Sequence, residues 1–143
     1  TMQNHYNLAY REEEREMLPL CAREGIGVIP WGPMARGYLT RPHEDLEATE
    51  RGRTEDKLQE MPYREGGGPA VNTRVEELAE DHGATMAQIA LAWMLQNDHV
   101  DAPIVGTTSV EHLEQAVAAL DIDLTEDDVD YLEEPYEPVR PSW

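Results

Sequence analysis

PIVGTTSVEHLEQ, residues 103–115, is the stretch on which the reading of this chain turns. A short apolar run, Ile104-Val105, enters a Gly106-Thr107-Thr108-Ser109 turn. A helix follows with apolar residues at Val110, Leu113, Val117 and Leu120. A strand that ends in a small polar turn and opens a helix leaves backbone N–H groups unpaired, and the helix dipole adds positive potential there. A phosphate suits that place. The same residues also describe an ordinary βα loop in which Ser109 caps its helix. Taken alone, the motif leaves both readings open.

Upstream of this stretch the elements alternate. Residues 1–6 read as a strand. Residues 12–24 read as a helix with Met17, Leu20 and Cys21 on its inward stripe and Pro19 bending or shortening it. Gly25 and Gly27 bracket the start of a buried strand over residues 26–30, and a turn over 31–37 follows it. From Arg41 to Pro69 the chain is charged and Gly-rich, with GGGP at residues 66–69, and is expected to be a flexible loop. Two helices joined by His82-Gly83 come next. The first covers residues 71–81. The second covers 86–96, with Thr85 and Gln88 placed as a capping box, and is apolar nearly all round. After the strand at 103–106 and its helix, Thr125 and Asp128 cap a last helix that Pro135 stops, leaving an extended tail over 135–143.

Strand–helix–strand–loop–helices–strand–helix means βαβ units on a parallel sheet. About three parallel strands with flanking helices do not close a sheet, and an eight-stranded βα barrel takes about 250 residues. The expected fold is therefore α/β, the C-terminal half of a (β/α)8 barrel, as one partial domain over residues 1–143. Such barrels often build a phosphate site from the loops after their last two strands. Here those loops are residues 31–37 and 106–109.

Composition narrows the partners. The chain has 143 residues with 30 Asp+Glu against 11 Lys+Arg, a formal net charge of -19. That charge repels nucleic-acid phosphates and anionic lipid, so neither nucleic acid nor membrane is an expected partner. Lys57 is the single lysine and Phe is absent, a pattern expected of a protein working in high salt, where counterions screen self-repulsion. Cys21 is single, which excludes a disulfide framework within the chain and suits a buried thiol. With no signal peptide and no long apolar run, the expected location is the cytoplasm. His5, His43, His82, His99 and His112 show no metal-ligand spacing; no metal is expected, with surface or capping roles for most of them.

Several segments, in order, resemble the aldo-keto reductases. Gln3-Asn4-His5-Tyr6-Asn7-Leu8, Arg11, Leu18-Pro19 and Gly25-Ile26-Gly27, leading to Pro30-Trp31-Gly32-Pro33-Met34-Ala35-Arg36-Gly37-Tyr38-Leu39-Thr40, resemble the family's sixth and seventh strands. Ala84-Thr85 through Gln88–Trp93 resembles the following helix. Pro103–Thr107 with Leu113 resembles the eighth strand and nucleotide loop, and the likeness runs on into Leu124-Thr125 and the Tyr136 tail.

The resemblance implies an NADP- or NAD-dependent oxidoreductase that reduces an aldehyde or ketone by hydride transfer, a tyrosine giving the proton. It implies that Gln3 hydrogen-bonds the nicotinamide carboxamide and that Trp31 stacks on the nicotinamide ring. It assigns Gly32, Pro33, Met34, Ala35, Arg36 and Gly37 to the pyrophosphate. Val105, Gly106, Thr107, Thr108 and Ser109 hold the adenosine end in the same scheme, and His112 and Gln115 face the adenine.

Three positions depart from the family's pattern. Gly32 stands where a serine is frequent, Thr108 where an Arg or Lys would pair with a 2′-phosphate, and Ala116 where an asparagine is frequent. The resemblance also places the Asp, Tyr, Lys and His tetrad in the barrel's first half, outside this sequence. His5, Tyr6, Asp45 and Lys57 are not substitutes, so no catalytic residue is assigned. The chain then binds a nicotinamide dinucleotide, meets a small carbonyl substrate only when an N-terminal half is supplied, and is nearly inactive alone. A different class of function is a non-catalytic half barrel that assembles as a homo-oligomer or completes an N-terminal fragment, because an open half barrel exposes strand edges and apolar side chains.

Overall fold

In the computed structural model, residues 1–48 and 62–140 are described. Three extended segments lie side by side and run parallel. Met2 bridges Val28, His5 bridges Trp31, and Trp31 bridges Ile104, which puts residues 28–31 in the middle. Hydrogen bonds follow that order: Met2 N–H to Gly27 O at 2.7 Å, Trp31 N–H to Asn4 O at 2.9 Å, and Ile104 N–H to Pro30 O at 2.8 Å. The segments expected as strands at 1–6, 26–30 and 103–106 thus pair as expected, through isolated bridges and without longer ladders. Asp101 stands in for one ladder bond, its Oδ2 accepting the Val28 N–H at 2.7 Å.

Among the described residues five α-helices flank them: α1 Met17–Glu24, α2 Gly68–His82, α3 Met86–Leu95, α4 Val110–Ala118 and α5 Glu126–Glu133. The helix expected over 12–24 is a 3-10 turn at Glu12–Glu14 followed by α1. Starting at Met17 places Pro19 in the first turn, where its missing N–H has no intrahelical partner to lose. Thr85 and Gln88 form the expected capping box on α3, and Thr125 and Asp128 form one on α5. Helix α3 buries Ile89, Ala90, Leu91, Ala92, Trp93 and Met94 in succession. A helix apolar on every side settles only inside a core.

The loop expected over 41–69 needs correction at both ends. His43–Ala48 and Pro62–Arg64 form 3-10 turns, and Gly68 and Pro69 already belong to α2. Residues 49–61, Lys57 among them, lie outside the described residues. The glycines of GGGP are a packing device. Gly67 has φ +81°, and a Cβ there would collide with the Pro135 carbonyl oxygen. Gly66 O accepts the Glu137 N–H at 2.8 Å, so the tail over 135–140 is laid against this turn. Only a chain without side chains lets two backbones approach that closely.

With no Phe, the core is built on tyrosine: Tyr6, Tyr38 and Tyr63 have no exposed surface. A buried phenol is best accommodated where its hydroxyl finds a partner, as in Tyr6 and Tyr63; the Tyr38 hydroxyl has none among the described residues. Tyr6 donates to Glu14 at 2.6 Å and accepts from Asn97 at 2.8 Å. Half-buried Tyr136 donates to Glu12 at 2.9 Å. Arg11 pairs with Glu14 at 2.7 Å and Glu133 at 2.6 Å, and its guanidinium lies 5.7 Å from the Trp93 ring centroid. Cys21 is buried, as expected from its helix face. Helix α4 buries none of its residues. Val110, Leu113 and Val117 are 72%, 50% and 57% exposed, and Leu120 beyond its end is 65% exposed.

Candidate functional site: two loops at one sheet end

Residues 28–31 and 104 are neighbours in a parallel arrangement, so the loops after them leave from the same end. That places residues 32–37 beside residues 106–109. In open α/β sheets and βα barrels, ligands bind at the carboxyl ends of the strands.

The first loop is wound tightly. Gly32 has φ +70°, and Ala35, Arg36 and Gly37 follow with φ of +49°, +55° and +96°. Two successive non-glycine residues in this region cost about 1–3 kcal/mol each, a strain that collects at functional sites. The amides of Ala35 and Gly37 bond inside the turn, to Gly32 O and Met34 O, both at 2.9 Å. Pro33 and Ala35 are buried, Met34 is half-buried, and the Arg36 side chain reaches out to solvent. Its guanidinium lies 5.7 Å from the centroid of the half-buried Trp31 ring.

The second loop lies in the open. Thr107 Oγ1 donates to Ser109 O at 2.6 Å, and Ser109 Oγ accepts the His112 N–H at 3.2 Å as the cap of α4. The capping expected of Ser109 is therefore present, and its hydroxyl oxygen is engaged by that bond. Gly106, Thr107, Thr108 and His112 are exposed, while Val105 and Gln115 are half-buried. Gln3 is exposed on the first extended segment, on the same side as His5 by the period of two.

Sequence reasoning missed the ring system behind Trp31. His5 stacks on Trp31 at 4.3 Å and on Tyr10 at 4.4 Å, with Tyr63 edge-on at 5.6 Å. Its Nε2 lies 2.7 Å from the Tyr63 hydroxyl. Burial, helped by the Arg36 charge, pushes His5 down to about 4. Its position on Gln3's side of the strand was the one signal available for it. Tyr6 is pushed far up by burial and by Glu14, and its hydroxyl is already engaged. Neither residue is placed to exchange a proton with a ligand at the loops. Among the described residues no group of three or more His, Cys, Asp or Glu could hold a metal ion. A groove of about 840 Å³ lies elsewhere, between Arg11, Glu133 and Tyr136. Glu12, Glu14, Asp127, Asp130 and Glu134 line it too, a wall that repels a dinucleotide.

Residues 1–137 match the aldo/keto reductase family. The chain belongs to that family. A putative aryl-alcohol dehydrogenase of Schizosaccharomyces pombe is 48% identical over 139 residues, covering 97% of this chain and 39% of the relative. Versiconal hemiacetal acetate reductase of Aspergillus parasiticus is 44% identical over 140 residues, covering 96% of this chain and 40% of that protein. The crystal structure of a thermostable aldo-keto reductase in complex with the inhibitor epalrestat superposes with a TM-score of 0.64 at 29% identity, over 93% of this chain and 38% of that one. The chain thus spans about two fifths of the length of the relatives it matches, and its fold is an α/β fragment of the aldo-keto reductase barrel. The family is one of oxidoreductases that use a nicotinamide dinucleotide. No helix among the described residues is long and apolar enough to cross a membrane.

Proposed function

We propose that these residues form the C-terminal half of a (β/α)8 barrel and bind NADP or NAD at the loops 31–37 and 106–109. The observation that carries the reading is the parallel bridge between Trp31 and Ile104, which brings both loops to one sheet end. The side chains fit the ligand. The Gln3 carboxamide is exposed to meet its counterpart on nicotinamide, and the half-buried Trp31 ring is a stacking surface. Arg36 offers an exposed guanidinium to the pyrophosphate, with Gly32–Gly37 wrapping it. Residues 105–109, with His112 and Gln115, take the adenosine. Thr108 brings no charge to a 2′-phosphate, so NADPH and NADH are expected to bind within about threefold of each other.

Bound NAD(P)H supplies the hydride for an aldehyde or ketone. Among the described residues, the Tyr6 hydroxyl and His5 Nε2 are both held by other side chains, and neither offers a proton at this surface. Carbonyl reduction then needs the Asp, Tyr, Lys and His that the family places in the first half of its barrel. The protein works in the cytoplasm, and its acidic surface suits high salt.

Fluorescence titration of the chain with NADPH and NADH tests the site, with saturable binding expected. No binding even in molar salt would sink the reading. Incubation with an aromatic aldehyde and NADPH should give no turnover, and robust turnover would overturn the claim that the proton donor is missing.

A second reading rests on the exposed stripe Val110, Leu113, Val117 and Leu120. Contiguous apolar surface of this kind marks an interface. In this reading the chain is a non-catalytic module that pairs with itself or completes an N-terminal fragment. Loss of dinucleotide binding together with a stable dimer on size exclusion would favour it.

A further inference from the structure

His5 is half-buried and held by four side chains. Tyr10 and Trp31 stack against it at 4.4 and 4.3 Å, with interplanar angles of 20° and 16°. Its Nε2 receives two groups, the Tyr63 hydroxyl at 2.7 Å and the Asn7 amide nitrogen at 3.2 Å. The Asn7 amide is oriented by its other bonds, because Oδ1 accepts the Ala9 N–H at 3.0 Å and Nδ2 donates to Gly32 O at 2.9 Å. An amide nitrogen can only donate, so Nε2 is an acceptor and the imidazole is neutral with its proton on Nδ1. Gly32 leaves room for the ring: a Cβ there would lie 3.3 Å from His5 Cδ2.

We propose that His5 is a positioning residue of the nicotinamide shelf: clamped against Trp31 and tied to Tyr63, it fixes the plane on which the nicotinamide ring stacks. The inference rests on the reading that Trp31 carries that ring. It connects residues 62–64, to which the family resemblance assigns no role, to the redox end of the ligand. A rotating indole would present its face only part of the time, and the apparent affinity would fall with that fraction. The neutral state follows from the surroundings, since an imidazolium here would face the Arg36 guanidinium in a desolvated stack.

The test compares NADPH with ADP-ribose, which lacks the nicotinamide, on the whole chain. His5→Ala should weaken NADPH about tenfold and leave ADP-ribose unchanged. His5→Phe keeps a flat ring in the stack and should recover NADPH affinity to within about threefold of wild type. Tyr63→Phe, which removes only the hydroxyl, should cost about threefold for NADPH alone. Equal losses for both ligands would mean that His5 merely holds the fold, and the proposal would fail. Unaltered NADPH binding in His5→Ala, or a His5→Phe no better than His5→Ala, would overturn it as well. A wild-type chain binding NADPH no more tightly than ADP-ribose, with Trp31→Ala changing neither, would refute the nicotinamide site itself and the inference with it.

Discussion

Helix α4 carries large apolar residues at helical spacing and buries none of its own, whereas α5, shortly after it, seats Leu132 with no exposure at all. The difference lies in where their partners are. Among the described residues α5 finds several: Arg74 and Glu77 on α2 meet Tyr131 and its neighbours, and Arg11 and Trp93 both bond Glu133. The tail then leaves α5 and packs on Gly66 and Gly67. Helix α4 follows the nucleotide loop and meets mainly α3 and the turn at Ala119–Asp121. One side of the molecule is a closed core, and the other presents an exposed apolar stripe.

That contrast can be broken from the closed side first. Gly67→Ala adds a Cβ where the Pro135 carbonyl lies and φ is +81°. It should cost about 3 kcal/mol in urea unfolding. Arg11→Leu removes the cation shared by Glu14 and Glu133, which are 32% and 29% exposed at the side chain, and should cost about 2 kcal/mol by the same measurement.

Acid comes next. The folded state lowers His5 from 6.5 to about 4, so the unfolded chain takes up that proton first as pH falls. Stability is therefore full above about 6.5 and declines towards 4, by about 1–2 kcal/mol after allowance for partial exposure. Glu12 adds a second decline at lower pH. Burial opposes its charge, but the Val139 N–H, the Tyr136 hydroxyl and Arg15 outweigh burial and hold its carboxyl below the usual range. His5→Phe should flatten the upper part of the pH–stability curve and leave the lower part. A curve unchanged in its upper part would show that His5 titrates normally.

The smallest stability effect belongs to the open side. Leu113→Glu with Val117→Glu should change unfolding by less than about 0.5 kcal/mol, because both side chains are at least half exposed. The same pair should abolish any self-association seen by light scattering. A large loss of stability would mean that α4 is packed more firmly than its exposure says.

Much of this was legible in residue patterns. Caps at Thr85, Ser109 and Thr125 are local chemistry, and each is where the sequence places it. The succession of parallel segments followed from alternation of apolar runs and helical stripes. What was hidden depends on distant backbone. Nothing around Gly66–Gly68 says that the tail returns to lie against it, so three glycines read as slack chain. His5 likewise joins a stack only once Trp31 is brought beside it, and its hydrogen-bond partner Tyr63 lies 58 positions away. Strain at Ala35 and Arg36 is equally invisible in their identities, since neither residue favours a left-handed backbone.

A core filled with phenols rather than phenyls gives the molecule an optical record of its own integrity in alkali. Burial raises Tyr38 to about 12 and pushes Tyr6 and Tyr63 up further, while an unfolded tyrosine ionises near 10. Above pH 10 the folded chain therefore keeps these rings protonated at a growing cost in stability. Their phenolate absorbance near about 295 nm should rise in one step, when the chain opens, and not along a simple titration curve.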